Sequence, residues 1–197
     1  TAVVDCAGVC GGTMVDANSD GLCDEWEDLT VTDVDGNSYE TVQIGAQLWM
    51  AENLKVTQYK DGSAIPTGYS DSDWSILSTG AYAIYDNNSS NADTYGNLYN
   101  WYAVETQQLC MDGWHVPSDD EFKILELYLG MCEGNVGRIN SKATQSTGGC
   151  LNNIGYRGFN EGSKLAGGKD LWQDGELQYN EEFGLSGFNA LPVGSLG

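Results

Sequence analysis

From residue 29 onward, apolar and polar positions alternate in short runs that read as strands. Residues 31–33, a turn at Asp35-Gly36-Asn37, and the alternating Tyr39-Glu40-Thr41-Val42-Gln43-Ile44 predict a hairpin. Gly45-Ala46-Gln47 predicts a second turn, and Leu48-Trp49-Met50 a buried strand. Residues 69–91, rich in Ser, Asp and Asn, read as a surface loop, a helical turn around Trp74-Ser75-Ile76-Leu77, and a strand over Ala81-Tyr82-Ala83-Ile84-Tyr85. The pattern then changes period. The aromatic run Tyr95 to Val104 predicts a short helix, with Cys110-Met111-Asp112-Gly113-Trp114 as a tight turn after it. A second helix starts at Ser118, where Ser118 and Glu121 have the spacing of a capping box ahead of Phe122, Leu125 and Leu129, and Gly130 supplies the stop. The rings of this stretch are read as core-building and not as a reaction centre.

Composition supports a folded chain. In 197 residues, 41% are hydrophobic, with six Trp and eleven Tyr, enough to fill a core of this size. No apolar run is long enough to span a bilayer and no basic, apolar leader opens the chain, so it is expected to be soluble; a start at Thr1 instead of Met points to a processed or excised piece. The charge balance is lopsided, with 29 acidic against 8 basic residues and a formal net charge of −21. Scattered Lys and Arg cannot neutralise a run of phosphates, which argues against nucleic acid and anionic lipid as partners. Such a surface favours divalent cations, salty surroundings or basic partners, and it also serves plain solubility.

Cysteines at 6, 10, 23, 110, 132 and 150, with no C-x-x-C pair, point to disulfides in an oxidising compartment and not to a zinc ribbon or thioredoxin-like chemistry. Residues 1–27 form a segment of their own. Asp16-Ala17-Asn18-Ser19-Asp20-Gly21-Leu22-Cys23-Asp24-Glu25-Trp26-Glu27 fits the calcium-loop template D-x-[DN]-x-[DN]-G-x5-E at every defined position. Asp16, Asn18 and Asp20 can converge side-chain oxygens on one point, Leu22 adds a carbonyl, Asp24 sits where a ligand acts through water, and Glu27 closes the shell with two oxygens. The same residue types also make ordinary solvated turns. Gly11-Gly12 argues against a flanking helix, so the segment resembles the loop-only calcium repeats of extracellular proteins, such as thrombospondin type 3 repeats. In those repeats cysteines placed like Cys6, Cys10 and Cys23 staple the loop.

A longer resemblance covers residues 28–197. Asp35-Gly36-Asn37-Ser38-Tyr39, Val42-Gln43-Ile44-Gly45, Gln47-Leu48-Trp49-Met50-Ala51-Glu52-Asn53-Leu54-Lys55 and Tyr59-Lys60-Asp61-Gly62-Ser63-Ala64-Ile65-Pro66 lead the match. The run Leu98 to Val104, Gly113-Trp114-His115-Val116-Pro117-Ser118, Gly162-Ser163-Lys164-Leu165 and Gly187-Phe188-Asn189-Ala190-Leu191-Pro192 follow in order. Together they resemble the Fibrobacter succinogenes major paralogous domain. The resemblance implies an α+β, C-type-lectin-like fold, with two helices packed on a small, mostly antiparallel sheet. It also implies closing strands beyond Gly197, and with them the usual partner of Cys110. Residues 131–161 depart from the family, and a Cys132–Cys150 disulfide there would add about 2–4 kcal/mol.

Candidate chemistry is sparse. His115 is the one histidine, and its place between Trp114 and Val116 before a helix cap reads as structural, with little for a zinc site to draw on. Formylglycine-generating enzymes are distant relatives of this fold, but the cysteines here do not reproduce their closely spaced reactive pair. The Glu-Pro-Asn, Gln-Pro-Asp and Trp-Asn-Asp motifs of calcium-dependent sugar binding are absent from the sequence. Trp74, Tyr156 and Trp172 could stack on sugar rings, and each also suits a core or loop-anchoring role. The expectation is a secreted or cell-surface bacterial binding or adhesion module, non-catalytic, holding calcium and engaging an extracellular protein or glycan. A self-assembling structural subunit is the first alternative, and a formylglycine-generating-type oxidoreductase the second.

Overall fold

A computed structural model describes residues 30–131 and 160–192, together with Thr13 and Val15. The proposed calcium ligands Asp16, Asn18, Asp20, Leu22, Asp24 and Glu27 lie outside the described residues, as do Cys6, Cys10, Cys23, Cys132, Cys150 and Tyr156. The described chain is α+β, with short helices and two small sheets. The first sheet has the order β1-β2-β3, from β1 (Thr30–Thr32), β2 (Ser38–Ile44) and β3 (Gln47–Met50). The second pairs β4 (Tyr82–Ile84) with β5 (Asn97–Tyr99).

The predicted hairpin forms where the sequence puts it, with β1 antiparallel to β2 and Val31 opposite Tyr39. Its turn is organised by one carboxylate. Asp33 accepts the backbone N–H groups of Asp35 at 3.0 Å and Asn37 at 2.9 Å, the Asn37 amide at 2.9 Å and the Tyr39 hydroxyl at 2.5 Å. Gly36, at φ +87°, makes the left-handed step that the turn requires. A buried carboxylate is tolerable because four donors replace its water.

The chain divides into two compact units, each with its own core. One takes Val42–Trp49 and Pro117–Ala190. Here Ile44, Trp49, Leu125 and Leu129 are buried, with Val42, Phe122, Leu165 and Phe188 packed on them. Trp49, Phe122 and Phe188 meet edge to face, with centroids 5.9, 5.5 and 6.2 Å apart, the geometry that aromatic quadrupoles favour. The Ser118 capping box is present and starts helix α4 (Asp119–Tyr128). Lys164, on helix α5 (Glu161–Leu165), donates to the Leu129 carbonyl at 2.6 Å, so a cation sits where the α4 dipole leaves partial negative charge. Gly167 and Ala190 complete the packing through a 2.8 Å backbone bond. The short helix α6 (Glu176–Tyr179) lies between these two residues in sequence.

The other unit takes Asp28–Thr41 and Met50–Val116. Its core is Val56, Ile65, Tyr82, Ala103 and Leu109, with Leu54, Tyr59, Ile84, Tyr99, Val104 and Cys110 against them. Helices α1 (Asp71–Trp74), α2 (Ala92–Tyr95) and α3 (Trp101–Glu105) are each about one turn long.

Three expectations are corrected here. The aromatic run is not one helix, because Asn97–Tyr99 is a strand and helix begins only at Trp101. The cause is tertiary. Gly96 ends α2 at φ +69°, with its Cα so close to Asn53 that an added Cβ would lie 2.7 Å from the Asn53 Cβ. Asn97 N–H then donates to the Leu54 carbonyl at 2.9 Å and the Tyr99 hydroxyl to that of Val56 at 2.7 Å, which hold the segment extended. Nor does the run serve the core throughout, since Trp101 is 68% exposed and Tyr102 41%. The described helices number six and not two, α4 alone exceeding five residues.

Candidate binding face

Helix α3 presents its first two side chains to solvent because of one asparagine. Asn100 is extended, at φ −75° and ψ 165°, and serves as N-cap. Its Oδ1 accepts from Ala103 N–H at 3.0 Å and from Ala81 N–H at 3.0 Å, while its Nδ2 donates to the Thr79 carbonyl at 2.8 Å. Asn100 N–H also donates to the Ala81 carbonyl at 3.0 Å. These bonds lock the first turn of α3 to residues 79–81, with Ala103 facing inward and completely buried. Trp101 and Tyr102 occupy the first two helical positions and are turned outward on a fixed backbone. Glu105, exposed, lies four residues after Trp101 and so on the same helical face.

The loop of residues 85–96 leaves from the far end of the β4–β5 pair, where Ile84 and Asn97 are opposite each other. Closed ends and internal packing make it a compact Ω-loop. Tyr85 and Tyr95 meet at 5.2 Å, and the Asn91 amide donates to the Tyr85 carbonyl at 2.9 Å. Asp86 and Asn87 both have positive φ, 55° and 50°, a conformation side chains rarely adopt and which Asp and Asn tolerate best.

The electrostatic surroundings are uniform in sign. Residues 30–116 hold eleven Asp and Glu against two Lys, Lys55 and Lys60. Both lysines are already engaged, with Glu52 at 3.2 Å and Asp112 at 3.4 Å. Partial burial raises the pKa of Asp35, but donors from Thr57 N–H at 2.5 Å, the Thr57 hydroxyl at 2.8 Å and the Gln58 amide at 2.6 Å outweigh it, so the carboxyl ends below its ordinary value. Burial pushes the Cys110 thiol up, only partly offset by Lys60.

The residues singled out in the sequence fare differently. Trp74 is half-buried on α1, and Trp172 is half-buried with its indole N–H on the Gly167 carbonyl at 2.7 Å, which makes it an anchor. His115, read as a hydrogen-bonded structural histidine, is exposed but not without a partner. Trp101 and Tyr102, whose rings the sequence reads as core-building, are both exposed. The usable signal was Asn100 three residues before a small Ala103, which marks the inward face of a very short helix. Among the described residues no group of three or more His, Cys, Asp or Glu is arranged to hold a metal, and no helix is long and apolar enough to cross a membrane.

Comparison with known proteins gives one finding. No curated protein and no solved structure matches the chain. Residues 42–197 match the model of the Fibrobacter succinogenes major domain. That span contains the edge-to-face trio of Trp49, Phe122 and Phe188, the Lys164 bond to the end of α4, and the whole of α3. With 42–197 of 197 residues matched, this chain belongs to the Fibrobacter succinogenes major domain family.

Proposed function

We propose that the chain is a non-catalytic binding module of a secreted or surface-displayed bacterial protein, with a C-type-lectin-like scaffold that carries its contacts on exposed rings and loops. The observation that supports this most directly is Trp101, a large ring left 68% exposed on a backbone fixed by Asn100. Rigid, exposed aromatic side chains are what recognition surfaces use, since little rotamer freedom is lost on contact. A thiol whose pKa is raised by burial, as at Cys110, is a poor nucleophile. In the same reading Asp16, Asn18, Asp20, Leu22, Asp24 and Glu27 hold a calcium ion, supported by the match to the loop template. Calorimetric titration of the oxidised chain with Ca²⁺ checks that part, and no heat of binding removes it.

The function itself is tested by probing the immobilised chain against arrays of glycans and extracellular proteins, beside a Trp101→Ala variant. Selective capture that the variant loses by tenfold or more is the expected result. A chain that captures nothing but forms defined oligomers in light scattering is instead a structural subunit, and the proposal fails.

A further inference from the structure

The binding reading leaves open which class of partner the face takes, and the chemistry around Trp101 discriminates. We propose that the partner is a basic protein surface, whose Arg or Lys side chains lie on the Trp101 ring within reach of Glu105 while flanking apolar groups cover Tyr102. The inference rests on the binding-module reading and narrows it.

Three observations converge. First, Trp101 and Glu105 are four residues apart on α3, so one face of the helix carries an electron-rich ring beside a carboxylate. A cation over an indole is attracted by the ring quadrupole, and an adjacent carboxylate adds charge-assisted hydrogen bonding. Second, among the described residues 30–116 no cation competes for that place. Neither α1 nor α3 carries a basic residue in its last turn, and Lys55 and Lys60 are paired with Glu52 and Asp112. Third, the unit that carries the face has a strongly negative field, because residues 30–116 hold eleven carboxylates to those two lysines. Such a field speeds the encounter with a basic partner and repels acidic ones.

A glycan fits less well. Sugar recognition by a stacked ring also needs polar side chains that bond the hydroxyls, and the amide next to the ring in sequence, Asn100, has both its oxygen and its nitrogen turned inward to Ala81, Ala103 and Thr79. Uronate or sulfate groups would be repelled. Trp and Tyr on the chain, met by Arg on the partner, are the side chains that dominate protein–protein contacts.

The test uses the full chain on a biosensor with three probes, an alternating arginine–leucine peptide, its glutamate–leucine counterpart, and cellohexaose. Binding of the arginine peptide should weaken about tenfold in Trp101→Ala and several-fold in Glu105→Gln, and it should fall with added salt. Trp101→Ala keeps the net charge, so arginine-peptide binding that survives it reflects bulk charge alone and overturns the proposal. A urea midpoint equal to the parent's certifies that the variant is folded. Failure of the arginine peptide to bind overturns it also. Trp101-dependent capture of cellohexaose without the arginine peptide overturns the partner class but leaves the binding module standing, so the two readings fail separately.

Discussion

Replacing Asn100 by Ala should destabilise the chain by about 2–4 kcal/mol while leaving every apolar side chain in place. Loss of the N-cap bond to Ala103 N–H costs about 1 kcal/mol. Ala81 is completely buried, and removal of its 3.0 Å acceptor leaves an N–H without a partner, worth about 1–3 kcal/mol. The bond to the Thr79 carbonyl adds little, because that residue is exposed and water replaces the amide. At a urea slope of about 2 kcal/mol/M the midpoint moves down by about 1–2 M.

Two companions sharpen the measurement. Trp101→Ala removes a far larger side chain but one that is mostly in water, so its stability should stay within about 0.5 kcal/mol of the parent. Asn100→Asp keeps both acceptor bonds but replaces the donor by an oxygen facing the exposed Thr79 carbonyl, which can turn to water, so it should fall between the two. The assay is equilibrium urea unfolding followed by far-UV circular dichroism. If Trp101→Ala costs as much as Asn100→Ala, the ring is buried and the binding face does not exist. If Asn100→Ala is within 0.5 kcal/mol of the parent, the clamp on α3 is not what fixes the ring.

Further predictions concern the scaffold. Gly167→Ala should cost about 1–3 kcal/mol or more in the same urea assay, because its new Cβ would meet the Asn189 backbone Cα at 2.7 Å as well as its side chain; a parent-like midpoint would show that the contact relaxes freely. The Asp35 carboxyl, held below its ordinary value, contributes stability that is complete above an unfolded pKa near 3.9 and is lost as pH falls through the lower folded value. Asp35→Asn should therefore flatten the acid limb of a stability–pH profile, and an unchanged limb would discount the three donors. Burial raises the phenols of Tyr39 and Tyr99 above their ordinary range, with Asp33 adding to the effect on Tyr39. Their contribution is full below about pH 10 and is lost as pH climbs through the raised folded values, so thermal midpoints should drop on the alkaline side and drop less in Tyr39→Phe relative to its own neutral value.

The parts legible in the sequence are those whose cause is local. The hairpin follows from a turn that Asp33, Gly36 and Asn37 make among themselves, and the start of α4 from Ser118 and Glu121 bonding each other's backbone. The aromatic run departs from its helical pattern because its conformation is imposed from about forty residues away. Asn97 and Tyr99 are held extended by carbonyls of Leu54 and Val56, contacts that no helical period can reveal. Exposure of Trp101 was illegible for a related reason. In a helix of five residues a single inward position, Ala103, satisfies the core, and composition alone assigns the large ring to it. The α+β class was readable through the resemblance of several ordered motifs to a known family, and the short helices and small sheets bear it out at that level.

The motifs by which the family is recognised act mainly on packing, and this constrains where recognition can reside. Trp49 and Phe188 are two sides of the aromatic trio, Lys164 closes the end of α4, and Gly187, at φ +71° with Val42 3.1 Å from where a Cβ would sit, admits the chain to that core. Substitution at any of them perturbs folding first and any binding only through it. Trp101 sits inside such a motif yet the fold does not use its ring, since Asn100 and Ala103 suffice to build α3. A large ring that is mostly exposed on a fixed backbone is open to contact with another molecule. The same separation gives the criterion for locating the face: substitutions that lower capture without moving the urea midpoint should cluster at Trp101, Tyr102 and Glu105, whereas those at Trp49, Phe122 and Phe188 should move both together.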